Sequence, residues 1–424
     1  TYLEQPFFKN APHFILSCMT PGLKRVFRFG DSGGGIGNYA NALYLGAIRH
    51  RDLQALAGLR LLEKNLPKSF WLGWMDILWQ YPAVDLPEQK FSDYPKYDYC
   101  PDLGLVHARE SWQEGAAGAM FKCGPLGGYT LNRYRNQNNF KYINVAHDDF
   151  DANSFIIFMD NEFIAETDGY SYQTRSANHN TILVNGTGQM VPGRMREGMK
   201  FNQPGRGDMT KMAVLTTWFT QPGVLVTEGE ASASYPAITK GAKRRPGLNM
   251  FRRSFIWVDG KYLLILDRVE AEAEAKISWL VQAAKDVIKV NPDQGLFRLV
   301  GRQTQADFQL LASAPVDSIE VVKSTADHRG KNMGHRQLQF TTHGRKHLFA
   351  TLFNVWKHPS LKMSWKIGDD DEMIITVDGQ GFSHTWHCRA PAGKFVPSSI
   401  VGEMGNLKVE VDPQKHKLTP PPTH

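Results

Sequence analysis

Close cysteine spacing is missing from this chain of 424 residues: Cys18, Cys100, Cys123 and Cys388 stand far apart, with no CxxC pair. That excludes a zinc ribbon and a dense disulfide framework, and it leaves the redox compartment open. No uncharged apolar run reaches about 18 residues, so no membrane-spanning helix is expected. Conspicuous runs of Lys and Arg are missing too, KRR at 243–245 being the longest of its kind. The net charge of +7 comes from 49 basic against 42 acidic residues spread along the chain, which favours an anionic partner without the footprint of a nucleic-acid binder. The absence of a fixed-period repeat disfavours a solenoid or propeller. Gly33-Gly34-Gly35-Ile36-Gly37 lacks the Lys-Ser/Thr ending and the preceding strand of a phosphate loop, and reads instead as a helix entry. Neither a methionine nor a signal peptide opens the chain at Thr1, so a processed or truncated product is expected.

What is present is ample material for cores, 42% hydrophobic and 11% aromatic residues, in a chain long enough for two domains. Ten tryptophans and fourteen tyrosines suit packing first and sugar rings second. From Gly33 to about Gln80 the apolar residues recur with helical spacing, through Tyr39, Leu43, Ala47, Leu53, Leu56, Leu59 and Leu62, after Asp31 and Ser32 as caps. A further helix is expected around Trp71, Trp74, Ile77 and Leu78. Residues 81–104, rich in Pro, Tyr and Asp, read as a connecting segment and domain boundary. From residue 105 onward short β-branched and aromatic runs alternate with Gly, Asn, Asp and Pro, as in SFIIFM, NTILVNG, SFIWVDG and YLLILDRV. Asp160-Asn161 and Asp259-Gly260 carry tight-hairpin chemistry. The fold class is therefore α+β: a helical part in residues 1–104, then a large antiparallel β region in 105–424, with room for a smaller β subdomain from about 290.

Chemistry-bearing side chains concentrate in residues 142–189. If 146–152 is extended, His147, Asp149 and Asp151 share one face. Adjacent strands could then bring Asp149, Asp168 and His179 together as a divalent-metal site, with the imidazole favouring zinc or manganese over calcium. The same residues also read as turn aspartates and a strand-end histidine making ordinary hydrogen bonds. Arg133, Arg135, Arg175 and the Arg194/Arg196 pair offer guanidinium forks for carboxylates, or serve as solvated surface groups. Tyr170 or Tyr172 could reach a ligand from the turn after Asp168.

The run MFKCGPLGGYTLNRYRN, followed by HDDFDANSFIIFMDNEFIAETDGY and HNTILVNGTGQ, resembles the heparinase II/III-type polysaccharide lyases. FRFGDSGGG upstream, and TEGEASASYP and FRRSFIWVDGKYLLILDRVEA downstream, extend the likeness over about residues 25–270. Residues 290–424 share only β character. The resemblance implies the end of an α/α toroid followed by an antiparallel β-sandwich, with substrate between them. It implies that His147 takes the place of a catalytic histidine near the uronate. Asp149 stands where the family has a second histidine, a metal ligand, while Asp168 and His179 match the other two ligands of a structural zinc or, less naturally, manganese. The family's catalytic tyrosine, and the Asn/His pair that neutralises the carboxylate, would lie upstream of the FGDS-like segment, in a preceding helical portion.

The implied activity is β-elimination on a uronic-acid glycan, with Arg133, Arg135, Tyr172 and Arg175 as substrate-binding residues. Alginate is favoured and a glycosaminoglycan comes next, because conspicuous cationic runs are missing. A uronyl C5-epimerase and a non-catalytic glycan-binding protein are the alternatives. A protein of this kind is expected in the periplasm or secreted.

Overall fold

The computed structural model describes residues 4–30, 32, 36, 40–65, 87, 89–139, 147–171, 173–190, 208–240 and 243–418. Three helices open the chain: α1 (Pro6–Cys18), α2 (Ala40–Arg49) and α3 (Leu53–Asn65). The period-3.6 apolar residues Leu43, Ala47, Leu56, Leu59 and Leu62 face a common core with Leu16 of α1. The sequence pattern gives no notice of α1, because Pro12 lies within it. The helix expected around Trp71 and Trp74, the glycines of the helix entry and the cap at Asp31 lie outside the described residues.

Arg109 joins the helical part to the first sheet. Its guanidinium donates from Nε to Met19 O (2.9 Å), just past the end of α1, and lies 4.2 Å from the centre of the Trp112 ring. The antiparallel region begins at Tyr97, earlier than the expected 105, because Tyr97–Cys100 pairs in register with Leu105–Arg109. These two strands and Gly118–Lys122, Ser154–Met159 and Glu162–Ala165 form a five-stranded meander. The last two turn at Asp160 and Asn161, with φ of 48° and 64°, as the tight-hairpin reading predicts.

A ten-stranded sheet lies at the centre, and its inner strands Val224–Glu230, Leu248–Val258 and the first half of Tyr262–Ala283 are buried on both faces. Along Leu248–Val258, Phe255 and Trp257 pack toward the first meander, whereas Ile256 and Val258 join the core formed with a third, C-terminal sheet. This two-sided burial is why FIWV and YLLIL are continuous apolar runs instead of alternating ones. Residues beyond 290 do not separate as a unit there. Leu296–Val300, Gln305–Ala312 and Arg336–Asn354 belong to the central sheet, and the distinct layer is the meander from Lys362 to Val411. Ile182–Val184 pairs with the far half of Tyr262–Ala283, beyond an irregularity between Glu270 and Ala275. That pairing brings His179 and Asn180 to the edge of the first meander.

Candidate functional site

Asn180 braces the site. Its amide donates to Phe155 O (2.7 Å) and Glu166 O (2.9 Å), and its carbonyl accepts from Gln282 N (2.8 Å), so one side chain ties together three segments. Every polar atom of that amide is thus used, which fixes the start of the following strand.

The HDDFD segment is not extended. Residues 147–153 form turns and bends, and the expected shared face of His147, Asp149 and Asp151 does not exist. The physical reason is Lys122, a buried lysine that must be paired. It donates to Asp148 Oδ1 (2.7 Å) and to Asp151, while Asp148 also accepts from Gly127 N (2.7 Å). Burial opposes the charge on Lys122, but the two aspartates outweigh it and raise its pKa; burial pushes Asp151 up to about 6. The alternation of aspartates thus divides the labour: Asp148 and Asp151 hold Lys122, Asp149 turns inward, and His147 remains exposed.

Asp149, Asp168 and His179 come together, with one ligand atom of each within 4.8 Å of the others. All three are buried. His179 Nε2 lies 3.8 Å from Asp149 Oδ2 and 3.6 Å from Asp168 Oδ1. Those separations are too long for hydrogen bonds, and they approach the spacing of about 3.4 Å between ligands sharing a four-coordinate ion at about 2.1 Å. The Thr167 hydroxyl contacts His179 Nδ1 and donates to Asn178 O (3.4 Å), so it is left to accept from Nδ1–H, which turns the Nε2 lone pair toward the carboxylates. Asn178 donates to Asp168 Oδ2 (2.8 Å) and accepts at its own Oδ1 from Thr325 (2.6 Å).

Among the described residues, three buried atoms of this cluster then have no hydrogen-bond partner: Asp149 Oδ1, Asp168 Oδ1 and His179 Nε2. Burial, reinforced by Asp168 and Asp151, raises the Asp149 pKa far above the carboxylate range; burial likewise raises Asp168, and it pushes His179 down to about 3. Each orphaned atom costs about 1–3 kcal/mol. A divalent cation satisfies all three at once and balances both carboxylates, so this donor set fits zinc or manganese even with Asp149 in place of a histidine.

His147 lies beside this cluster, its ring 6.0 Å from that of Tyr170. It also lines a cavity of about 270 Å³ with Phe14, Cys18, Val26, Phe27 and Phe29, where α1 and the segment after it meet the β region. Gly30 sets that approach. It adopts φ +56°, and a Cβ placed there would stand 2.6 Å from His147 O. Gly30→Ala is therefore expected to cost about 1–3 kcal/mol through backbone strain and overpacking, read as a lowered denaturation midpoint. An unchanged midpoint would show that this contact does not hold the two parts together.

The other expected ligand-binding residues scatter. Arg133 and Arg135 lie on α4 (Tyr129–Gln137), where Arg135 is buried and Arg133 half-buried. Arg175 is exposed immediately before the turn that carries Asn178. Tyr172 and the Arg194/Arg196 pair lie outside the described residues. Sequence reasoning missed Lys122, Thr167, Asn178 and the hairpin after Thr325. Lys122 carried a weak signal, a lone lysine in the apolar run GAMFK.

The family profile described as Heparinase II/III-like, C-terminal, matches residues 101–376, well over half of the chain. Heparan sulfate lyase HepC from Pedobacter heparinus is similar in structure, with a TM-score of 0.61 at 15% identity over 88% of this chain and 51% of that one. The heparinase III product of BT4657 gives 0.59 at 13% identity over 89% and 51%, and another heparinase III structure gives 0.58 at 11% over 90% and 54%. The chain thus spans about half the length of these solved structures. No curated protein matches it by sequence.

Proposed function

Because the chain belongs to the heparinase II/III-like family, we propose that it is the metal-site-bearing part of a polysaccharide lyase that cleaves a uronic-acid glycan by β-elimination. One observation carries the reading: an exposed histidine at the mouth of a cavity, two residues from a buried Asp/Asp/His set with an unsatisfied atom on each member. The glycan class is an anionic uronate polymer. The names of the similar structures put a glycosaminoglycan beside alginate. Such a substrate is met outside the cytoplasm, which favours the periplasm or secretion.

In the elimination, the C5 proton beside the uronate carboxylate leaves as the C4–O bond breaks, and the electron pair of the C–H bond becomes the C4–C5 double bond. That proton is weakly acidic, so the site must take it up and stabilise the charge that spreads onto the carboxylate. His147 is placed to do either, with Tyr170 beside it. Asp149, Asp168 and His179 would hold the cation, which neutralises buried charge and fixes the loops that carry His147 and Tyr170. Its role would be structural, because all three ligands are buried while His147 is exposed.

The test is the ultraviolet absorbance of the unsaturated product, with alginate, chondroitin, hyaluronan and heparan sulfate as substrates. A rise with one polymer supports the lyase. No rise with any of them, from folded protein that includes the preceding helical portion, rejects elimination; solvent hydrogen appearing at C5 without chain cleavage would identify an epimerase instead.

The cation has its own expected result. Asn178→Ala frees one oxygen of Asp168 and strands Thr325, and should weaken zinc binding by about 10–100-fold in a chelator competition. Affinity equal to that of the unaltered chain would remove Asn178 from the support of the site.

A further inference from the structure

The segment Thr325–Met333 lies in the part of the chain where the sequence offered only β character, yet it docks onto the loop that carries Asp168 and Tyr170. It is a small hairpin: Asp327–His328 pairs with Lys331–Asn332. Its backbone bonds the loop in both directions, Gly169 N donating to Asp327 O (3.1 Å) and Arg329 N to Tyr170 O (2.7 Å). Tyr170 N donates to His328 Nδ1 (2.9 Å), and Ser171 Oγ to Asp327 Oδ2 (3.2 Å). The fit is close, since a Cβ on Gly169 would lie 2.4 Å from His328 Nδ1. At the stem Thr325 reaches Asn178, the residue that holds Asp168. The hairpin is therefore fixed both to the buried cluster and to the backbone of Tyr170, whose ring adjoins His147.

Its tip has unusual chemistry. Arg329 and Gly330 form a two-residue turn with φ of 52° and 78°, the signature of a type I′ turn, where Asn-Gly is preferred. An arginine there is disfavoured by its Cβ, and such strain persists where the side chain has a use. Arg329 and Lys331 are both exposed, and neither forms an ion pair among the described residues. Two cations are thus held on a tip that is hydrogen-bonded to the Tyr170 backbone and faces solvent.

We propose that this hairpin is a glycan-contacting element, and that Arg329 is a specificity-determining residue that engages a carboxylate or sulfate of an anionic polymer running past His147. The inference rests on the lyase reading for its polymer class. A guanidinium fork suits either oxyanion, and a lysine two residues on adds charge without orientation.

Arg329→Asn separates function from folding, because asparagine suits the turn better than arginine. The expected result is an unfolding temperature equal to or above that of the unaltered chain, with roughly tenfold weaker affinity for the polymer it retains best among alginate, chondroitin, hyaluronan and heparan sulfate. The salt dependence of binding should also flatten. Lys366→Asn, which removes an exposed cation from the C-terminal sheet, serves as the control and should leave affinity unchanged. Equal affinity for Arg329→Asn and the unaltered chain, an equal loss in both variants, or no retention of any polymer would each overturn the proposal. Binding is read without turnover, so the inference survives if the absorbance assay stays silent, and it can fail while the lyase reading stands.

Discussion

Replacing Arg253 with methionine should lower stability by about 3–5 kcal/mol, the cost of breaking a fully buried ion pair and stranding its partner. Arg253 and Asp267 face each other in register on neighbouring central strands. The guanidinium donates from Nε to Asp267 Oδ1 (2.7 Å) and from a terminal nitrogen to Oδ2 (3.0 Å). Its other terminal nitrogen donates to Asn153 O (2.6 Å) and Asn180 O (2.7 Å), and Trp279 Nε1 donates to Asp267 Oδ2 (2.9 Å). The pair therefore spans from the central sheet to the two loops that carry Asp149 and His179. A urea denaturation midpoint measures the loss. Arg253→Met combined with Asp267→Leu should recover part of it, since an apolar pair no longer buries a lone charge, but not all, because Asn153 O, Asn180 O and Trp279 Nε1 stay unpaired. A loss below about 1 kcal/mol in the single variant would mean that water reaches the pair.

His147→Ala should reduce the rate of unsaturated-product formation by about 10²–10⁴-fold, the usual contribution of one general acid–base group. The side chain is exposed and its loop is held by Lys122, Asp148 and Asp151, so the unfolding temperature should not move. That separation makes the result interpretable: a parallel fall in stability would assign His147 to folding, and a rate within a factor of a few of the unaltered chain would remove it from the chemistry. Glutamine at this position keeps hydrogen bonding without a titratable ring. Activity in His147→Gln well above that of alanine would favour charge stabilisation over proton removal as the histidine's role.

How much of this was legible beforehand depends on the range of each interaction. The hairpin at Asp160-Asn161, the helical spacing through Leu43 and Leu59, and the β-rich stretch from SFIIFM onward follow from local rules of turn conformation and side-chain periodicity. The HN dipeptide and the FRRSF…LILDRV pair were visible as patterns, and their causes are now plain: Asn180 braces three segments, and Arg253 meets Asp267 in register. The extended strand expected at 146–152 is not what brings Asp149, Asp168 and His179 together. They meet because Lys122, 25 residues or more away in sequence, claims the neighbouring aspartates and bends the segment.

By itself the sequence determined the α+β class, the order of its parts and a list of candidate side chains, because composition, periodicity and turn chemistry act over a few residues. Only the tertiary structure decided which of those side chains share a site. It buried Arg135, exposed His147, added a third layer of sheet, and brought the Thr325–Met333 hairpin to the Tyr170 loop across more than 150 residues of chain. Those outcomes turn on strand pairing and on the cost of burying charge, and both are set by partners that no local pattern can announce.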